Sequence, residues 1–113
     1  QSARVAAGDR PTHVVHGGRA WVLGQAPLHV GASVAVGVRS LPVPAGPGIS
    51  RVHCTLAPGE DGVWLEDLST YGTLLNGERV RGRVAVRTGD RLRIGQPGIE
   101  CELVRVVDGD GTP

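Results

Sequence analysis

The chain is predicted to fold as an all-β sandwich or barrel, on three observations. Glycine (18) and proline (8) recur through the 113 residues and cut them into short apolar runs. Within those runs apolar and other residues alternate, as in Val52-x-Cys54-x-Leu56 and Ile99-x-Cys101-x-Leu103, the two-residue period of a strand with one buried face. No stretch sustains the apolar period of about 3.6 residues, with caps, that an amphipathic helix requires. A chain this long builds one hydrophobic core and has little left for a second.

The strands follow from the runs in order. Ala20 to Leu23 and Leu28 to Val30 are short apolar segments, the second ending at Gly31. Leu41 to Val43 lies between prolines and glycines, and Val52 to Leu56 carries the alternation already noted. Val63 to Glu66 and Thr73 to Leu75 follow, then Arg79 to Val80 after the pair Asn76-Gly77. That pair signals a two-residue hairpin, because a type I′ turn needs positive φ at both central positions. Gly89-Asp90 is a turn that delivers Leu92 and Ile94 of the run Arg91 to Ile94 inward and its two arginines outward. The last strand spans Ile99 to Val107. Residues 1–11 and 108–113 lack apolar pattern and are expected to be flexible, leaving a domain over 12–107. Asp108-Gly109-Asp110-Gly111 lacks the terminal Glu of a calcium loop and reads as tail.

Composition narrows the function. The net charge is +1 and there are only three aromatic side chains, Trp21, Trp64 and Tyr71, so neither the basic field nor the stacking platforms of a nucleic-acid binder are supplied. Arg79, Arg81, Arg83, Arg87, Arg91 and Arg93 alternate along strands and turns and read as a solvated face. No apolar run is long enough to span a membrane and no signal-peptide pattern opens the chain, which leads us to expect a soluble, cytoplasmic domain. All 12 basic residues are Arg, a bias that implies GC-rich coding and a bacterial source. The first residue is Gln rather than Met, so we expect a part of a larger protein. Cys54 and Cys101 point toward the core as free thiols, or as a disulfide if their strands are neighbours. His13, His16 and His29 have no metal-ligand spacing, and no metal or cofactor is expected.

Two segments place hydroxyls and guanidinium groups on turns: Gly48-Ile49-Ser50-Arg51-Val52-His53, and Asp67-Leu68-Ser69-Thr70-Tyr71-Gly72-Thr73-Leu74-Leu75-Asn76-Gly77. They resemble the signature of the forkhead-associated (FHA) domain, which runs Gly-Arg, then Ser-Arg-x-His, then Asp-x-Ser-x-Asn-Gly-Thr and a closing Asn-Gly turn. The resemblance covers about residues 20 to 107. It implies a sandwich of two twisted sheets with about 11 short strands. It also implies a non-catalytic interaction module that binds phosphothreonine peptides through loops at one end, with a phosphorylated protein or peptide as partner in signalling.

The resemblance assigns the site residue by residue. Ser50 matches the serine that donates to the phosphate, and Arg51 a basic position facing the peptide. Thr70 matches a hydroxyl near the phosphate, while Tyr71 stands where the family has Asn, an amide that holds the peptide backbone with a paired donor and acceptor. His53, Asp67, Gly72, Asn76 and Gly77 match positions that support the loops. The Gly-Arg pair is altered. Leu28-His29-Val30-Gly31 resembles the strand that ends in it, but residue 32 is Ala. A rival placement, Val36-Gly37-Val38-Arg39, keeps an arginine and leaves almost no loop before Leu41-Pro42-Val43. With Gly31-Ala32 preferred, Arg39 is the candidate to reach back into the site. His53 with Ser50 or Cys54 makes no catalytic pair, since no oriented base or nucleophile elbow accompanies them. The alternative function is a phosphate-independent protein-interaction domain of the same fold.

Overall fold

The computed structural model describes residues 7–33, 39–60, 62–95 and 98–106. A single 3-10 turn, Ala7–Asp9, precedes eleven strands: β1 (His13–His16), β2 (Arg19–Val22), β3 (Leu28–Gly31), β4 (Ser40–Pro42), β5 (Cys54–Gly59), β6 (Gly62–Asp67), β7 (Leu74–Leu75), β8 (Glu78–Arg79), β9 (Arg83–Ala85), β10 (Arg91–Ile94) and β11 (Ile99–Val104). They form two sheets, ordered β2-β1-β11-β10-β7-β8 and β4-β3-β5-β6-β9. This is the expected all-β sandwich. Among the described residues no helix is long and apolar enough to cross a membrane.

Period two decides which residues meet between the sheets. In β10, Leu92 and Ile94 are buried and Arg91 and Arg93 exposed; in β11, Cys101 and Leu103 are buried and Glu100 and Glu102 exposed. From the other sheet Leu28, Val30, Leu41, Leu56 and Leu65 enter the same core, each at most 1% exposed. Fully burying one such leucine is worth about 1.5–3 kcal/mol, so this core supplies most of what holds the sheets together. On the outer face Arg91 lies opposite Glu102 and Arg93 opposite Glu100, and Arg83 stacks 4.9 Å from the centre of the Trp64 ring. Much of the arginine-rich stretch is thus balanced locally by carboxylates or an aromatic face.

Several elements depart from the sequence expectations. Strand β1 was not expected; it pairs with β2 and β11, and Val14 is its one buried apolar residue. Strand β9 was not expected either, and β5 begins at Cys54 rather than Val52. Both cysteines are free and buried, on opposite sheets. The N-terminal stretch expected to be flexible lies partly outside the described residues; within them, the Asp9 carbonyl accepts a 2.7 Å hydrogen bond from Thr88 N. Val107, residues 108–113 and the rival segment Val36-Gly37-Val38 also lie outside the described residues.

Candidate functional site

Three chain segments converge at one end of the second sheet because β3, β5 and β6 alternate in direction. The C-terminal end of β3, the segment entering β5 and the loop leaving β6 therefore share that end. Gly31 closes β3 against the backbone at Arg51. A Cβ at Gly31 would stand 2.0 Å from the Arg51 carbonyl oxygen and 2.8 Å from Val52 Cα, so only glycine permits the approach. Behind it, Ala32 N donates to Ser50 O (3.2 Å) and Ser33 N to Arg51 O (3.0 Å). Gly31 thus sits at the position its sequence context implied, at the end of the strand.

His53 ties the segment before β5 to the loop after β6. Its ring is fully buried. Ser50 N donates to Nδ1 at 3.1 Å, which makes Nδ1 the acceptor and leaves Nε2 protonated, donating to Gly72 O at 2.8 Å. The His53 backbone completes the join, with N donating to Val30 O (2.7 Å) and O accepting from Leu68 N (2.9 Å).

Asp67 shapes the loop from Leu68 to Thr73. Its Oδ1 accepts from Ser69 N (3.1 Å), Ser69 Oγ (2.6 Å) and Thr73 Oγ1 (2.8 Å), and Ser69 Oγ in turn accepts from Gly72 N (2.7 Å). Partial burial acts to raise the Asp67 pKa, but the hydrogen bonds from Ser69 and Thr73 outweigh it and hold the carboxyl below its ordinary value. Gly72 takes φ +102°, a conformation L side chains rarely adopt. Asn76 and Gly77 have φ 53° and 86°. The Asn76 side chain clamps their hairpin to the neighbouring turn, with Nδ2 donating to Asp90 Oδ1 (2.9 Å) and Oδ1 accepting from Arg91 N (3.0 Å).

Ser50 and Thr70 are brought together: Thr70 N donates to Ser50 Oγ at 3.3 Å. The Ser50 oxygen is occupied as an acceptor, so its proton is available to an incoming oxyanion. Arg51 follows directly and is exposed, as are Thr70 and Tyr71. Tyr71 and Leu68 put apolar surface on the loop at 61% and 50% exposure. Arg39 is not brought to this end. β3 and β4 run parallel with His29 opposite Ser40, and the Arg39 guanidinium donates to the carbonyls of Ala26 and Val22 near the start of β3. That is the far end of β3 from Gly31, roughly 10 Å away at about 3.3 Å per residue.

Sequence reasoning did not assign Ser69 or Thr73 to the site, and it placed Arg79 on a solvated face. Ser69 had a local signal, since a serine two residues after an Asp commonly closes such a turn. Thr73 closes the same loop six residues after Asp67, whereas Arg79 meets Gly72 only across the β7–β8 hairpin.

The family model for the FHA domain matches residues 21–95. No curated protein sequence matches the chain. Solved structures do. The FHA domain of an Arabidopsis thaliana hypothetical protein is 23% identical with TM-score 0.70, over 99% of this chain and all of that one (100%). The MEK1 FHA domain in complex with a HOP1 phosphothreonine peptide is 20% identical with TM-score 0.66, over 87% of this chain and 99% of that one. Mycobacterium tuberculosis EmbR in complex with a low-affinity phosphopeptide is 22% identical with TM-score 0.64, over 94% of this chain and 28% of EmbR. The sandwich, the loops gathered by Ser50, His53 and Asp67, and the match over 21–95 carry one conclusion: the chain belongs to the forkhead-associated domain family.

Proposed function

We propose that this domain is a non-catalytic module that binds phosphothreonine in a partner protein through Ser50, Arg51 and Thr70. The observation that carries the reading is the Ser50 hydroxyl, which Thr70 N holds as an acceptor and whose proton can still be donated to a ligand. A phosphothreonine dianion asks for hydroxyl donors and a guanidinium at one point. Arg51 supplies the guanidinium, since the Arg39 group is engaged at the other end of β3. Tyr71 faces the peptide with its ring and hydroxyl. His53, Asp67, Gly72, Asn76 and Gly77 hold the loops and touch no ligand. Phosphopeptide complexes among the similar structures support the reading, as does the 28% share of EmbR matched, which also fits a domain within a larger protein. A bacterial, cytoplasmic signalling role belongs to the same proposal, and the all-Arg composition supports the bacterial source.

The test is calorimetry with a peptide selected from a phosphothreonine library. Binding should vanish on dephosphorylation and weaken with salt. It should fall at least about tenfold in Ser50→Ala and in Arg51→Ala, the scale of one charge-assisted hydrogen bond of about 1.5–3 kcal/mol. Ala32→Arg should strengthen it. A second reading, phosphate-independent protein interaction, is favoured by one feature: Ala32 stands where the family places arginine, while Leu68 and Tyr71 offer apolar surface. Equal binding of a native partner before and after phosphatase treatment would install that reading instead.

A further inference from the structure

Resting on that reading, we infer that Arg79, with Arg81 beside it, forms a second anion subsite that selects phosphothreonine peptides carrying an acidic side chain near the phosphorylated residue. The subsite lies where the two sheets end side by side, since β8 is the edge of one and β9 the edge of the other. Between them is an open depression of about 280 Å³, with Leu75, Val80 and Val84 as floor and Glu78, Arg79 and Arg81 at its rim. The same Arg79 reaches the candidate phosphate loop. A Cβ on Gly72 would stand 2.8 Å from Arg79 Nε and 3.0 Å from its Cζ, so the guanidinium lies against the loop at the residue whose carbonyl His53 holds.

Three observations make this a ligand position rather than a solvated face. Other arginines have a visible occupation: Arg39 is bonded to carbonyls, Arg19 and Arg83 stack on tryptophans, and Arg91 and Arg93 face glutamates across the strand pair. Among the described residues the Arg79 and Arg81 guanidiniums have neither hydrogen bond nor ion pair, and Glu78 is the one carboxylate lining the depression. Arg79 also links the depression to the site: Ser50 meets the loop at Thr70 and Arg79 meets it two positions on, at Gly72. An extended peptide advances about 3.3 Å per residue, so a side chain one to three residues from a phosphothreonine on Ser50 comes level with Arg79. A carboxylate there accepts two parallel N–H bonds from the guanidinium fork, and the apolar floor covers the aliphatic stem of a glutamate.

The experiment measures affinity for a phosphothreonine peptide in which each flanking position in turn carries Glu, Ala or Lys. At one or more positions the wild-type domain should prefer Glu over Ala by about fivefold or more, a preference that shrinks in high salt. In Arg79→Gln that ratio should collapse to below about twofold, and in Arg79→Glu it should invert in favour of a lysine at the same position, with melting temperatures showing that both variants are folded. A Glu preference that survives in the Arg79→Gln, Arg81→Gln double variant overturns the inference, as does wild-type binding that is phosphate-dependent yet indifferent to flanking charge. A loss in Arg79→Gln of equal size for Glu and Ala peptides also overturns it, by assigning Arg79 to the phosphate itself. Failure of the wild-type domain to bind any phosphothreonine peptide would instead remove the proposed function on which the inference stands.

Discussion

Replacing His53 tests the loop architecture most directly. In His53→Ala two hydrogen bonds disappear, Ser50 N to Nδ1 and Nε2 to Gly72 O, from a ring that is 0% exposed. Each backbone group left unpaired costs about 1–3 kcal/mol, and the low end applies because both lie near a loop surface that water can reach. Adding about 1 kcal/mol for the packing lost around the deleted ring gives a total of roughly 3 kcal/mol. For a domain of this size that lowers the melting temperature by roughly 12–24 °C, at about 4–8 °C per kcal/mol. Two further substitutions divide the effect. In His53→Asn the side-chain carbonyl falls where Nδ1 was and keeps the Ser50 bond, while in His53→Gln the amide nitrogen reaches toward Gly72 and keeps the other. Each should lose about half as much as alanine. Thermal melts followed by circular dichroism give the stabilities, and the amide resonance of Ser50 and the carbonyl resonance of Gly72 report which bond survives. A drop of less than about 3 °C in His53→Ala, or equal losses in all three variants, would refute the two-bond account.

Asp67→Ala should destabilise by about 2–4 kcal/mol because it strands three donors, one of them on fully buried Thr73; Asp67→Asn should lose less in a urea titration. Because the folded-state pKa of Asp67 is lowered, its contribution is present above the ordinary carboxylate pKa and fades as pH falls below about 4, so the acid limb of the stability curve should flatten in Asp67→Asn. Gly31→Ala should cost at least about 3 kcal/mol, since every atom its methyl meets is backbone and none can turn aside; a melting temperature within about 2 °C of wild type would contradict the close approach. Burial pushes the Cys101 thiol up to about 12 and raises Cys54 further, so both should resist a thiol reagent until the domain unfolds. Since the unfolded chain releases these protons first, stability should decline above about pH 8.5, and less steeply in Cys54→Ala.

Where turn chemistry and alternation coincide, the sequence was readable to the residue: Gly89-Asp90 and the pattern Leu92, Ile94 define β10 with its observed ends. Alternation alone misled at β5, because Val52-x-Cys54 continues the period through residues that lie outside the strand, held there by His53 and Gly31. Strand β1 has a single inward apolar residue and β9 spans three residues inside an arginine-rich stretch, so neither has enough pattern to register. Within the site, Ser50, His53 and Asp67 were legible because their bonds join residues at characteristic spacings in two motifs. Arg39 was judged by its nearness in sequence to the altered Gly-Arg pair. The parallel pairing of β3 and β4 turns it the other way, and nothing in the residue order announces that direction. Arg79 read as part of a solvated face for the same kind of reason: its neighbour Gly72 is brought to it only when the β7–β8 hairpin closes.

The strand order has a consequence for how such a domain survives at high local concentration. The four strands at the sheet borders, β2, β8, β4 and β9, have four, two, three and three residues, whereas the interior strands β5, β6 and β11 have six each. Three of the border strands carry an arginine, Arg19, Arg79 or Arg83, and the fourth ends on Pro42. A neighbouring copy seeking to add its backbone to either sheet meets a short template, a charge that must be desolvated, or a missing amide hydrogen. Tandem copies, or copies crowded together on one assembly, should therefore remain separate bodies, and their meetings should be governed by the loop end instead of by polymerising sheets.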